Sequence, residues 1–522
     1  MIRESGQVSE EPDASSHVST SPVNPSPLQP FDRQPDRAAL DRSLVHGLAW
    51  TGAAKWATQL LSWLSMLVVA RLLTPADFGL VGAAAVYLGL VNLVSELGLG
   101  GAIVQRRDLT EDQIARLGGM SVVFGFLLAA LSCALAVPIS AFFRDRAVAG
   151  VVAVMSVTFI TNGAQVVPRA LLMQDLRFRT LSLVEALQAA AGAVFTLALA
   201  VLGARYWALV LSNVATAALV TAILVARRPH RIAWPRHFAS IRGALTFGWH
   251  IVASRVAWYG YSNADFAVVG RMLGSAALGL YSVGWTIASI AVDRISALVG
   301  RVVPGIFSAV QHDTAAFRRY VLLLTEGLAL VTFPVSAGLA ITADDLVGLA
   351  LGEKWLSAVL PLRLLCLYAG FRSITTLLSH ILVGAGRARD SMRYSVLGLA
   401  VMPPLFVLGS RYGTAGVAAA WIVGYPLIVF PAYRRVFSLL DLRLEAYLKA
   451  IAPALGGSLL MLGAVAAARL LAGDATPALR LAIQVATGVV VYAVVTVLPQ
   501  RERLRRILRQ MRQTVQFHAA AS

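Results

Sequence analysis

From about residue 44 to residue 499 the chain alternates long apolar runs with short polar connections. About 14 of these runs approach or reach the ~20 residues that a helix needs to cross a bilayer. They are 46–70, 80–101, 118–142, 149–171, 181–203, 206–226, 245–270, 277–300, 320–341, 358–384, 392–410, 414–433, 447–470 and 478–498. The pattern predicts an all-α, polytopic membrane protein. Composition agrees: 57% of the 522 residues are hydrophobic and 14% charged, against about 25% charged in a soluble domain. Both ends differ from the rest. Residues 1–43 are rich in Ser, Pro, Asp and Gln, which predicts a disordered tail without the apolar core of a signal peptide. Residues 500–522 carry Arg501, Arg503, Arg505, Arg506, Arg509 and Arg512, which predicts a basic tail resting on anionic headgroups.

The net charge of +18 changes the picture once it is placed along the chain. One set of alternate connections carries Arg106, Arg107 and Arg116; Arg169, Arg177 and Arg179; Arg227, Arg228, Arg231, Arg236 and Arg242; Arg294, Arg301, Arg318 and Arg319; Arg387, Arg389 and Arg393; and Arg434, Arg435, Arg443 and Lys449. The other set has one or two cations per loop: Arg71, Arg144, Arg146, Arg205, Arg271, Lys354, Arg411, Arg469 and Arg480. By the positive-inside rule the first set is cytoplasmic, so both termini are expected inside and the span count is even. The charge therefore reflects topology rather than nucleic-acid binding.

The chain also repeats. Val68-Val-Ala-Arg-Leu-Leu-Thr-Pro-Ala-Asp-Phe-Gly-Leu80 aligns without gaps on Val268-Val-Gly-Arg-Met-Leu-Gly-Ser-Ala-Ala-Leu-Gly-Leu280, with seven of 13 positions identical. Six spans separate the copies, so both run the same way through the membrane. This predicts two parallel six-helix lobes, 44–242 and 243–440, followed by two extra helices in 441–499.

Charge in hydrocarbon costs roughly 2.5–3.5 kcal/mol per residue, so ionisable groups at mid-span need a reason. Lys55 and Arg255 are repeat equivalents about 10 residues into their spans, or about 15 Å deep. Arg372 is similarly deep, while Arg363 lies nearer an end, within reach of the headgroups. These cations are the candidate lining of a cavity suited to phosphate or pyrophosphate. Neutralisation by the acids Asp265 and Glu185, expected to be buried, is the structural alternative. Asp265 with Asn263 is also a candidate site for coupling to Na⁺ or a proton. Cys133 and Cys366 lie in apolar runs and predict neither a disulfide nor a metal site.

Several chemistries are excluded. The lysines Lys55, Lys354 and Lys449 are followed by Trp, Trp and Ala, so no GK[ST] phosphate loop exists. There is no HExxH and no paired metal-ligand spacing. The longest connections are about 20 residues, too short for a catalytic domain, so the expectation is a non-enzyme without a cofactor.

Arg71-Leu-Leu-Thr-Pro-Ala-Asp-Phe-Gly-Leu80 and Glu96-Leu-Gly-Leu-Gly-Gly-Ala-Ile-Val-Gln105 open a series of motifs. Val167-Pro-Arg-Ala-Leu-Leu-Met-Gln-Asp-Leu-Arg-Phe-Arg179, Ala277-Leu-Gly-Leu-Tyr-Ser282, Arg301-Val-Val-Pro-Gly-Ile-Phe-Ser308 and Leu351-Gly-Glu-Lys-Trp355 follow in order. Together they resemble the polysaccharide transporter (Wzx-type) flippases of the multidrug/oligosaccharidyl-lipid/polysaccharide superfamily, with Glu96 where relatives often have Asp. The resemblance implies a two-lobed, MATE-like bundle of 12 to 14 helices in the bacterial inner membrane. It implies alternating access to an undecaprenyl-pyrophosphate-linked oligosaccharide for lipopolysaccharide or exopolysaccharide synthesis. Lys55, Arg255 and Arg372 then become candidate pyrophosphate ligands, and membrane lipids, a polymerase and chain-length machinery candidate partners. Lipid II flippase, multidrug/cation antiporter and membrane glycosyltransferase or polymer ligase are the alternatives, in that order.

Overall fold

A computed structural model of the chain describes residues 61–95, 99–105, 109–234, 256–310, 313–473 and 475–499. The first half supplies α1 (Leu61–Leu72), α2 (Pro75–Ser95), α3 (Leu99–Gln105), α4 (Glu111–Phe143), α5 (Ala147–Met155), α6 (Val157–Gln174), α7 (Phe178–Val201) and α8 (Tyr206–Arg227). The second supplies α9 (256–262), α10 (Ala264–Leu273), α11 (Ser275–Ala309), α12 (Thr314–Ile341), α13 (Ala343–Ala350), α14 (Val359–Gly384), α15 (Ala388–Ser410) and α16 (Gly413–Leu440). Two more, α17 (Leu444–Ala472) and α18 (Pro477–Tyr492), complete it. Among the described residues there is no strand, and 11 helices are long and apolar enough to cross a membrane. The predicted eighth span is α11, whose 35 residues extend about 52 Å. The predicted first and seventh spans are described only from Leu61 and residue 256 onward, and both tails lie outside the described residues.

Local chemistry sets the helix ends. Thr74 precedes Pro75 at the start of α2, and Asp77 accepts from the Thr74 amide at 2.9 Å and its hydroxyl at 2.6 Å. Pro tolerates the first turn because its missing N–H has no intrahelical acceptor there. A capping box of Thr110 and Gln113 opens α4, and Arg144 closes it in the left-handed conformation at φ 57°. The predicted fourth span is broken at Ser156, where α5 gives way to α6.

The bonds between connections test the charge alternation. Arg228 pairs with Asp175 at 3.3 Å, Arg318 with Asp441 at 3.6 Å and Arg435 with Asp390 at 3.3 Å, all on the arginine-rich end. Arg205 meets Asp77 at 3.6 Å and Arg469 meets Asp344 at 2.9 Å, on the arginine-poor end. Among the described residues, no such pair joins opposite ends.

The halves meet chiefly along α2 and α11. A Cβ on Gly79 would lie 1.7 Å from the Ser275 carbonyl oxygen, and one on Gly279 would lie 1.8 Å from that of Pro75. Only glycine permits this approach. Gly79 and Gly279, like Pro75 and Ser275, are the positions that the repeat equates, so a local two-fold axis passes through the crossing.

Candidate functional site

The second half carries a polar network within its membrane-spanning helices, built from regularly spaced positions. On α11, Tyr281, Trp285 and Asp293 recur at four and eight residues; on α14, Tyr368 and Arg372 are four apart; on α16, Trp421 and Tyr425 are four apart. Such spacing aligns each set on one helix face. At its base Asp265 of α10 is fully buried. Its Oδ2 accepts from the Tyr281 hydroxyl at 2.7 Å and from Trp421 Nε1 at 2.9 Å, and its Oδ1 accepts from the Phe266 amide at 2.9 Å. Three donors converging on one carboxylate provide the partners that a buried charge demands.

From there the rings form a continuous wall. Tyr368 stacks on Trp421 with centroids 4.6 Å apart, and Trp285 packs on both at 5.9 and 5.7 Å. The Arg372 guanidinium carbon lies 5.6 Å from the centre of Trp285 and 5.9 Å from that of Tyr368. Two ring faces favour a cation by electrostatics, by about 2 kcal/mol or more once water is removed. Arg372 Nη2 also donates to Asp293 Oδ1 at 2.5 Å.

Asp293 fixes the character of this place. It lies 18 residues into α11, about 27 Å along the helix, and its side chain is 60% exposed. That depth lies toward the arginine-rich side of a ~30 Å hydrocarbon core, and a carboxylate does not stay exposed to hydrocarbon, so this face of α11 opens to water on that side. The aromatic wall holds Arg372 at its edge, with 23% of its side chain exposed.

The first half contributes neutral polar groups. Asn162 Nδ2 approaches Asn92 Oδ1 at 3.4 Å. Gln165 donates to Thr221 Oγ1 at 2.8 Å and to the Ala217 carbonyl at 3.3 Å. Apolar crevices lie among the helices. An apolar groove of about 590 Å³ runs between α12, α14, α16 and α17, lined by residues such as Phe333, Phe371, Leu448 and Leu455, with Arg434 at its margin. A second, of about 460 Å³, lies between the halves and is lined by Tyr87, Phe142, Tyr259 and Leu399 among others.

Several expectations change. Of the four candidate cavity cations, Arg372 stands in the network, and its partner is Asp293 rather than Asp265 or Glu185. Glu185 is exposed on α7, not buried, because the lightly packed α7 turns it away from the bundle. Arg363 is no part of this cavity: it donates to Asp344 Oδ2, which also accepts from Arg469 Nη1 at 2.9 Å, at the arginine-poor end. Asn263 lines the crevice between the halves and donates to the Tyr259 carbonyl at 3.1 Å, while Asp265 is held by the aromatic donors. Lys55 and Arg255 lie outside the described residues. Asp293 escaped the sequence reading, although its position two helical turns beyond Trp285 was a usable signal.

Comparison with known proteins gives this geometry a context. The chain is 26% identical to the lipopolysaccharide biosynthesis protein WzxC of Escherichia coli, covering 74% of this chain and 79% of that protein. It is 25% identical to the teichuronic acid biosynthesis protein TuaB of Bacillus subtilis, covering 79% and 86%. Its fold is similar to that of the lipid II flippase MurJ in an inward closed conformation, with a TM-score of 0.71 at 13% identity, over 87% of this chain and all of that one. The model of the polysaccharide biosynthesis protein family matches residues 68–360, more than half of the chain, and the chain belongs to that family.

Proposed function

We propose that this protein flips a lipid-linked oligosaccharide, joined to its polyprenyl carrier by pyrophosphate, from the cytoplasmic to the periplasmic leaflet for lipopolysaccharide or exopolysaccharide assembly. The observation that carries the reading is the Arg372–Asp293 pair, a mid-span cation on an aromatic wall joined to an exposed carboxylate toward the arginine-rich side. Such a cavity suits an anionic group attached to a hydroxyl-rich head. The pyrophosphate competes with Asp293 for Arg372, so the site binds an anion and releases it without an excess of fixed charge. The amides Asn92, Asn162 and Gln165 offer the neutral donors and acceptors that sugar hydroxyls use. The carrier's polyprenyl chain remains at the membrane side, for which the apolar groove beside α17 is suited.

In this reading the arginine-rich end is cytoplasmic, both termini are inside, and the two halves rock to exchange access. No covalent chemistry is involved. Lys55 and Arg255 are proposed as further pyrophosphate ligands, and a polymerase with its chain-length machinery as the consumers of the product. Coupling to a proton or sodium gradient is proposed with it, through the acids of the second half. A reconstituted vesicle assay with three labelled cargoes, a lipid-linked oligosaccharide, lipid II and an organic cation, tests the assignment. Transport of the first is expected; selective transport of lipid II or of the cation overturns it. Collapse of each ion gradient in the same vesicles identifies the drive.

A further inference from the structure

The duplicated segments around Arg71 and Arg271 both reach across the junction between the halves. Arg71, at the end of α1, donates from Nε to the Ala350 carbonyl at 2.9 Å and from Nη2 to that of Leu349. Both acceptors lie in the last turn of α13, in the second half. Arg271, at the end of α10, donates from Nη1 to the Phe142 carbonyl at 2.6 Å and to that of Ala141 at 3.1 Å. Those acceptors lie in the last turn of α4, in the first half. Repeat-equivalent arginines thus perform the same act in opposite directions, each capping the C-terminal carbonyls of a helix in the other half. Last-turn carbonyls lack the usual i+4 donor, although that of Ala141 also takes the Arg144 amide at 3.3 Å, and they carry the negative end of the helix dipole, so a guanidinium suits them.

Other contacts tighten the junction. Lys354 Nζ donates to the carbonyls of Arg71 at 2.7 Å and Leu73 at 2.6 Å, and the fully buried Trp355 donates from Nε1 to that of Ala70 at 2.9 Å. Trp355 also packs edge-on against Phe78 at 5.3 Å. Immediately beneath lies the Gly79–Gly279 crossing, where backbone meets backbone. All of these bonds use main-chain acceptors and lie at the arginine-poor end. Asp293, by contrast, is exposed farther along α11, toward the arginine-rich side.

We infer that the duplicated Arg71 and Arg271 segments form a two-fold latch that shuts the halves at the arginine-poor end, and that its parting opens the cavity on that side. Arg71, Arg271, Lys354 and Trp355 are its positioning residues. Its acceptors are backbone carbonyls, which neither titrate nor depend on a particular side chain. The inference rests on the alternating-access reading proposed above, but its test reads exposure to a reagent and needs no cargo. Failure of the latch and failure of the cargo assignment are therefore separate results.

The test uses the full chain with Cys133→Ser and Cys366→Ser and a reporter Leu278→Cys, since Leu278 is fully buried beside the crossing. A membrane-impermeant thiol reagent is offered to intact cells and to inverted vesicles. A Tyr412→Cys control, at a position 82% exposed in an arginine-poor loop, identifies the side. We expect slow labelling of the parent from both sides. Replacing Arg71 and Arg271 together with Gln should speed labelling by roughly tenfold or more, as loss of charged hydrogen bonds implies. The increase should come only from the side that labels Tyr412→Cys. A rate within twofold of the parent, or an increase from the opposite side, overturns the inference. Should the double variant fail to fold, Arg271→Gln alone is judged the same way, with about a threefold increase expected and an unchanged rate overturning the latch.

Discussion

Replacing Gly79 with Ala places one methyl group at the point where the halves touch most closely. Its carbon would lie 1.7 Å from the Ser275 carbonyl oxygen, whereas real Cβ atoms stay beyond 3.0 Å, so α2 and α11 must part by more than 1.3 Å. Overpacking of this kind costs about 1–3 kcal/mol, and the helix propensity of Ala returns less than about 1 kcal/mol. We expect a net loss of roughly 1–2 kcal/mol. Gly279→Ala should behave alike, because its carbon meets the Pro75 carbonyl oxygen at 1.8 Å. Together the two should cost much less than their sum, since the gap opened for one methyl accommodates its two-fold mate. Gly456→Ala is the control: no neighbouring atom lies within 4 Å of its Cβ position on α17, and it should gain a few tenths of a kcal/mol. Unfolding in mixed detergent micelles, titrated with dodecyl sulfate, measures all four variants against the parent. Gly79→Ala as stable as Gly456→Ala, or full additivity of the pair, would refute the close crossing.

Two further outcomes follow from the network and from the arginine-poor end. Asp265→Ala strands the Tyr281 hydroxyl, the Trp421 indole and the Phe266 amide. At about 1–3 kcal/mol per buried donor left unpaired, the same titration should show a loss of roughly 3–5 kcal/mol, with Asp265→Asn intermediate; a loss under about 0.5 kcal/mol would contradict the network. At the second place burial opposes ionisation of Asp345, but hydrogen bonds from Arg480 and Gln484 and the charges of Arg480 and Arg469 outweigh it, holding its carboxyl below the usual range. Its stabilising contribution is therefore present above the ordinary Asp pKa of about 3.9 and lost as pH falls through the lower folded value. Asp345→Asn should flatten the acid limb of a melting profile below about pH 4, and an unchanged limb would show that the carboxylate gives no such support.

Much of this architecture was legible along the chain because bilayers impose simple rules. Apolar length marks a crossing, arginine marks a side, and loop pairs such as Arg228–Asp175 and Arg469–Asp344 respect the sides so assigned. The repeat was legible too, and the mutual approach of Gly79 and Gly279 gives its shared glycine a reason. Partners were not legible. Arg372 takes Asp293 from α11, a choice made by the packing of two helices that no spacing within either one encodes. Arg363 was legible as lying near a span end, but not its partner Asp344, which Arg469 shares. The Gly-Glu-Lys-Trp string was readable as a motif, but its task depends on carbonyls some 280 residues away in sequence.

The central claim is that a pyrophosphate-linked head group crosses through a cavity anchored by Arg372. Its most direct test is the initial rate at which a fluorescent lipid-linked oligosaccharide becomes accessible to an impermeant quencher across sealed proteoliposomes. Matched preparations contain the parent protein or Arg372→Gln, each verified as folded by its unfolding midpoint. We expect rapid transfer by the parent and a decrease of about tenfold or more for the variant, as loss of a charge-assisted contact implies. Transfer by the parent no faster than in protein-free vesicles, or an Arg372→Gln rate equal to the parent's, would contradict it.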